Sequence, residues 1–153
     1  MTTSTTEAAA ALHRFGLERD RLRSALARAT GLTSSDLDAL EHLEAAGPLT
    51  QKALGERVLL SSGAVTMLVD RLERAGWVRR VPHPHDRRAA LVELSQDPPK
   101  PPPAALDAYH ARIRALTRDL DVDARDQLAT FLGRAADAAE DAVVALGHPV
   151  SAR

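Results

Sequence analysis

"SSGAVTMLVDRLERAGWVRRVPHPHDRRAALVELS", residues 61–95, is the stretch whose reading decides the fold. In its first half Val65, Leu68, Val69 and Leu72 stand at i, i+3, i+4 and i+7, one apolar stripe along a helix, with Gly76 as the C-terminal stop. At about 100° per residue the face away from that stripe carries Gly63, Met67, Asp70 and Arg74, flanked by Thr66 and Arg71. The first turn, Ser61-Ser62-Gly63, is small and polar, which lets a helix N-terminus come close to another surface. The second half is two β-prone runs around a polar, proline-containing loop, the pattern of a hairpin. A polar helix face on its own is ordinarily just solvated; the hairpin directly behind this one suggests a use for it.

Working back along the chain, two more short helices precede it. "TSSDLDALEHLEAAGP" offers Ser and Thr caps, acidic residues in its first turns, Leu37, Leu40 and Leu43 as inward positions, and Gly47-Pro48 as a stop. Thr50 then caps "QKALGERV", whose Ala53, Leu54 and Val58 can point inward. Three short helices followed by a hairpin make a winged helix-turn-helix over residues 32–96. In that arrangement the third helix enters the DNA major groove by its N-terminal residues, and the hairpin lays basic side chains beside or into the minor groove. Thr50, Ser61, Ser62, Gly63, Thr66, Met67, Arg71 and Arg74 are thus the candidate DNA-facing residues of the helices. Arg87 and Arg88 at the hairpin tip form a basic pair suited to the negative potential of a narrow groove, and Asp86 is placed to brace an arginine or cap the turn.

Local charge agrees with this better than the global balance does. The 153-residue chain has a formal net charge of −1. Residues 50–95 nevertheless hold eight Lys or Arg (52, 57, 71, 74, 79, 80, 87, 88) against five Asp or Glu (56, 70, 73, 86, 93). All but Lys52 and Lys100 of the basic residues are arginine, the better fork for phosphates and base edges. Phosphate contacts supply affinity, and base-edge contacts supply sequence information.

The span from Leu32 to Leu94 resembles the MarR family of bacterial transcriptional regulators. "LTSSDLDALEHL" resembles that family's second helix, "LTQKALGERVLLSSGAVTMLVDRLERAGWVRR" its helix-turn-helix, and "DRRAALVELS" its Asp-x-Arg wing and following strand. The resemblance implies a homodimer that binds palindromic operator DNA, usually as a repressor, and that releases it on binding a small anionic or aromatic inducer. Two departures stand out. Met67 occupies a position where many members carry a basic residue, and "SQDPPKPPP" replaces the usual Thr-x-x-Gly after the wing strand.

The flanks suggest how two copies meet. Residues 7–30 read as a helix with Leu12, Phe15, Leu22 and Leu26 at heptad-like spacing, interrupted by Arg19, and residues 1–6 as frayed. Residues 97–103, with five prolines between 98 and 103, favour a stiff extended connector. From Ala104 to residue 147 a helical region runs through Leu106, Tyr109, Ile113, Leu116 and Leu120, then Leu128, Phe131 or Leu132, and Ala135. A lobe formed by residues 32–95 cannot cover all these stripes. Terminal helices of two chains are therefore expected to interleave, through Leu12, Phe15, Leu22, Tyr109, Ile113, Leu116, Leu128, Phe131, Leu132 and Ala135. Two recognition helices related by a two-fold axis must lie about 34 Å apart to read successive turns of a duplex.

Composition bounds the remaining classes. With 44% hydrophobic but only 3% aromatic residues, the chain should be mainly α-helical with a small β-hairpin. Cysteine is absent, which excludes disulfides and thiolate metal sites. No segment reads as a signal sequence or membrane span, so a cytoplasmic protein is expected. No nucleophile, base and orienter come together in the sequence, so neither an enzyme nor a cofactor is expected. Two metal readings stay open beside the regulator: His83, His85 and Asp86 at the hairpin tip, and a sensing site from His13, Glu41, His42 and His110 near the lobe junction. A helical protein-interaction module without DNA binding is the third class.

Overall fold

A computed structural model describes residues 4–86, 89–99 and 104–147. Six helices and three strands follow in the order α1 (Thr5–Thr30), α2 (Ser34–Ala46), β1 (Leu49–Thr50), α3 (Gln51–Arg57), α4 (Ser62–Arg74), β2 (Val78–Pro82), β3 (Ala90–Leu94), α5 (Ala104–Arg118) and α6 (Val122–Ala145). The architecture is the mainly helical, winged helix-turn-helix arrangement that the spacing predicts.

Helix boundaries are set by side-chain caps. Ser4 and Glu7 form a capping box, each accepting from the other's backbone N–H, so α1 starts at Thr5 where fraying is expected from composition alone. Thr33 and Asp36 repeat the device at α2. Thr50, Ser61 and Asp121 cap α3, α4 and α6 by accepting from the N–H three residues on. At the end of α4, Gly76 (φ 80°) donates to Glu73 O and Trp77 N–H to Leu72 O, closing a Schellman motif. The same pair of bonds ends α3, from Leu59 to Glu56 and from Leu60 to Gly55, but there a leucine occupies the left-handed position (φ 55°).

The hairpin of β2 and β3 gains a third strand. The antiparallel sheet has the order β1-β3-β2, with Leu49 opposite Val92 and Val78 opposite Leu94. β1 is two residues long and has no alternation to read, which is why the sequence suggests only a two-stranded ribbon. Ala39, Leu43, Leu54, Val65, Leu68, Val69, Leu72, Val78 and Val92 form the lobe's core, so α4's apolar stripe is its centre. Leu37 is also buried, whereas Leu40 packs at the core's edge.

Outside the lobe the burial pattern changes. Neither α1, 26 residues long, nor α6, 24 residues long, contains a buried residue. Phe15 is 48% exposed, Phe131 50% and Leu132 43%, with Ile113, Leu116 and Leu128 also open to solvent. Leu12 and Ala135 are half-buried. Leu22 and Tyr109 are partly covered and face the space between the lobe and the long helices, so α1 and α5 carry apolar side chains on more than one side. Arg19, which breaks the heptad stripe of α1, turns to Glu41 of α2 at 2.9 Å. Residues 100–103 of the proline connector lie outside the described residues; Pro99 lies near enough to Gly76 that a Cβ there would meet its Cδ at 3.6 Å. Among the described residues no helix is long and apolar enough to cross a membrane.

Candidate nucleic-acid interface

The outer side of α4 is built by what grips its inner and lateral sides. α3 lies so close behind it that a Cβ on Gly55 would sit 3.1 Å from Val65 Cγ1 and 3.3 Å from Val65 Cβ. On one flank, Arg71 Nη2 donates to Asp36 Oδ1 of α2 at 2.5 Å. On the other, Arg80 of β2 donates to Asp70 Oδ1 at 2.5 Å and also to Glu73, while its backbone N–H reaches Glu73 Oε1 at 3.1 Å. These contacts tie the helix to the lobe through three different elements. Asp70 and Glu73 raise the Arg80 pKa despite opposition from burial, so its charge is secured.

Asp36 is the one buried charged side chain among the described residues, 2% exposed. Burial pushes its carboxyl up, but the Arg71 guanidinium and the N–H and hydroxyl of Thr33 outweigh that and hold it below the ordinary aspartate range. In the sequence Asp36 is only one of the acidic residues in a helix's first turns, and Arg71 is a candidate DNA-facing residue. The fold puts them together because Asp36, the third residue of a capping box, is turned inward by Thr33 and lies beside α4.

The face left over is the one the helical periodicity selects. Ser62, Gly63, Thr66, Met67 and Arg74 are exposed, and a Cβ at Gly63 would meet open space. Thr66 donates its hydroxyl to Ser62 O at 2.8 Å and accepts from Gln51 Nε2 at 3.3 Å. Gln51, at the start of α3, escapes sequence reading because a first-turn glutamine carries no periodic signal; it sits at the edge of the face. Arg74 Nε donates to Asp70 O. Thr50 and Ser61 are half-covered and exposed respectively, and each spends its side-chain oxygen on capping.

Four of the eight basic side chains of residues 50–95 are paired inside the lobe. Arg71 pairs with Asp36, Arg80 with Asp70 and Glu73, Arg79 with its cross-strand partner Glu93, and Lys52 with Glu56 at 4.0 Å. Arg87 and Arg88 of the wing lie outside the described residues. The wing on either side is ordered by hydrogen bonds: His83 N–H to Ala89 O, Ala89 N–H to Asp86 O, and the N–H groups of His85 and Asp86 to His83 Nδ1 at 3.2 and 3.1 Å. An Nδ1 that accepts two N–H bonds is not presented to a cation, which argues against the metal reading of the tip. Among the described residues no three His, Asp or Glu side chains gather as a metal cluster. At the lobe junction Glu41 is held by Arg19 and Arg23, and His42 turns toward Arg57, so His13, Glu41, His42 and His110 are not gathered as one set of ligands.

That junction contains a cavity of about 470 Å³ between α1, α2, the roots of β2 and β3, and α5. Leu22, Leu26, Leu40, Trp77, Leu94 and Tyr109 supply its apolar wall; Arg19, Arg23, Glu41 and Glu44 are its charged members. Arg23 is fixed there by Asp38 at 2.5 Å and by Glu41, bonds that raise its pKa against the opposing effect of burial.

A rigid helix with an open polar face, set beside a three-stranded wing, defines a winged helix-turn-helix DNA-binding protein. Comparison with known proteins agrees. The family model described as MarR family matches residues 30–89. The chain is 34% identical over 128 residues to the uncharacterized HTH-type transcriptional regulator YcgE of Bacillus subtilis, a match covering 84% of this chain and 83% of that one. Among solved structures, a point mutant of MepR from a multidrug-resistant S. aureus clinical isolate superposes with a TM-score of 0.66 at 17% identity, covering 85% of this chain and 95% of that chain. A different S. aureus MepR mutant, bound to an oligodeoxyribonucleotide, gives 0.50 at 15%, covering 85% and 96%. At such identities the structures speak for the fold. The chain belongs to the MarR family of transcriptional regulators and carries its DNA-binding helix-turn-helix.

Proposed function

We propose that the protein is a homodimeric repressor that binds a palindromic operator and leaves it when a small anionic or aromatic molecule enters the junction cavity. The observation that carries the reading is the exposed face of α4, clamped from α2, α3 and β2, with its small N-terminal turn open. Ser62, Gly63, Thr66 and Met67 face the major groove, Arg74 meets the backbone, and Arg87 and Arg88 of the wing enter the adjacent minor groove. Arg71 has a different part from the one its position suggests: bound to Asp36, it anchors the helix and does not read a base. Support for two copies comes from the uncovered apolar side chains of α1, α5 and α6, a pattern that a lone soluble chain rarely leaves. The cavity supports the ligand, because it joins the lobe to the helices that would pair; an occupant preferring one lobe orientation shifts the spacing of the two recognition helices.

Footprinting on DNA upstream of the protein's own gene, with Arg88→Ala as control, tests the reading. Protection of two half-sites about one helical turn apart, weakened steeply by salt and lost in the variant with its dimer retained, is expected. Unchanged protection in Arg88→Ala would remove the wing from the interface. Phe131→Glu with Leu132→Glu should yield monomers in sedimentation equilibrium and lose operator binding together.

A further inference from the structure

The exposed face of α4 lacks the side chains that usually read purines. An arginine, asparagine or glutamine fork toward guanine or adenine is the common specific contact, and the two charged candidates in the middle of the helix are occupied: Arg71 by Asp36 and Asp70 by Arg80. Thr66 spends its hydroxyl proton on Ser62 O and accepts from Gln51. Arg74 is the last residue of the helix, away from the N-terminal turns that approach base edges. What remains at the centre is Met67, 71% exposed, one turn after a glycine that leaves the space beside it open. Its thioether is apolar and adaptable. Base edges in the major groove offer one apolar group to match it, the C5-methyl of thymine.

We propose that Met67 determines specificity by packing on a thymine C5-methyl, so that each operator half-site carries thymine opposite Met67. The inference rests on the DNA-binding reading above and adds the base it selects. The chemistry recognised is a pyrimidine C5-methyl, which 5-methylcytosine also presents; thymine is the natural source here, and the two are separated by substitution.

The test begins by selecting duplexes from a random library with the full chain. In the enriched sequence each thymine of one half-site is then replaced by deoxyuridine, which removes only the methyl, and affinity is measured by fluorescence anisotropy at fixed salt. At one or two positions the wild-type protein should lose about 3- to 10-fold, the worth of one or two buried methyl contacts. Met67→Ala should be indifferent to the same replacement, and Met67→Leu should keep the preference. A C·G pair at that position should bind weakly, and methylating its cytosine at C5 should restore part of the loss. Being exposed, Met67 can be changed without touching the core. If deoxyuridine is tolerated throughout, or penalised equally in Met67→Ala, the proposal is overturned while DNA binding stands. Failure to enrich any sequence overturns DNA reading and the proposal with it.

Discussion

Removing the guanidinium of Arg71 tests the way α4 is held. Asp36 keeps three partners in the folded lobe, the N–H of Thr33 at 2.9 Å, its hydroxyl at 2.8 Å and Arg71 at 2.5 Å, while its side chain is 3% exposed. Arg71→Ala leaves Oδ1 buried without its cation. Breaking a fully buried pair from one side costs about 3–5 kcal/mol, and leaving a buried polar atom unpaired about 1–3. Arg71 itself is 48% exposed, so water can enter the gap, and the lower figures apply. The expected loss is about 2 kcal/mol, or about 4–8 °C in Tm for a chain this long. The dependence on pH identifies the cause. Asp36 has a folded pKa below its unfolded one, so its pairing stabilises the protein above the ordinary aspartate value and is lost as pH falls through the folded pKa. In Arg71→Ala burial acts with less opposition, and the carboxyl takes up a proton at higher pH. The gap between wild type and variant, measured by urea denaturation at one protein concentration, should therefore be full at pH 7 and shrink below about pH 4. A gap under about 0.5 kcal/mol at pH 7, the range of ordinary surface substitutions, or one that stays constant down to pH 3, would refute the anchoring role.

Other outcomes follow from single contacts. Gly55→Ala places a Cβ 3.1 Å from Val65 Cγ1, which must shift by a few tenths of an ångström. Packing strain of about 1–3 kcal/mol, offset by about 0.5–1 kcal/mol from replacing a glycine inside a helix, gives an expected net loss of about 1 kcal/mol. A double mutant with Val65→Ala should cost less than the sum of the two, so strict additivity in denaturation would contradict the squeeze. Leu59→Gly removes the left-handed strain at the end of α3 and should raise stability by about 1 kcal/mol, read as an increase in urea midpoint. Burial first, and the positive charge of Arg57 second, lower the His42 pKa, so the folded state favours the neutral ring. Its contribution is complete above the ordinary histidine value of about 6.5 and erodes as pH falls toward the folded pKa. His42→Gln should flatten the stability profile between pH 7 and 5, and an unchanged slope would place that dependence elsewhere.

Much of the lobe is legible before any coordinates. α4 announces itself because one stripe of four branched residues repeats with the helical period and Gly76 marks its end; burial then follows from geometry. Caps at Thr33, Thr50 and Ser61 are equally local, since a hydroxyl reaches an N–H three residues away whatever the rest of the chain does. β1 is not legible, as two residues show no alternation and become a strand only when β3 lies beside them. Nor is the fate of the arginines. Sequence counts Arg71, Arg79 and Arg80 as charge available to DNA, but each partner lies 7 to 35 residues away, and no spacing rule links Arg71 to Asp36.

By itself, then, the sequence determined where helices begin and end, which side of each is apolar, and which face of α4 is left over, because capping and periodicity act within a few residues. Tertiary structure decided which of the charged side chains remain available on that face, through ion pairs that form only after α2, β2 and α4 have packed. It also made the junction cavity, whose walls come from five separate elements. The long-range choices depend on distances that chain order does not encode: the helical period puts Met67 on the open face of α4, and partners on α2 and β2 take up the charged side chains beside it.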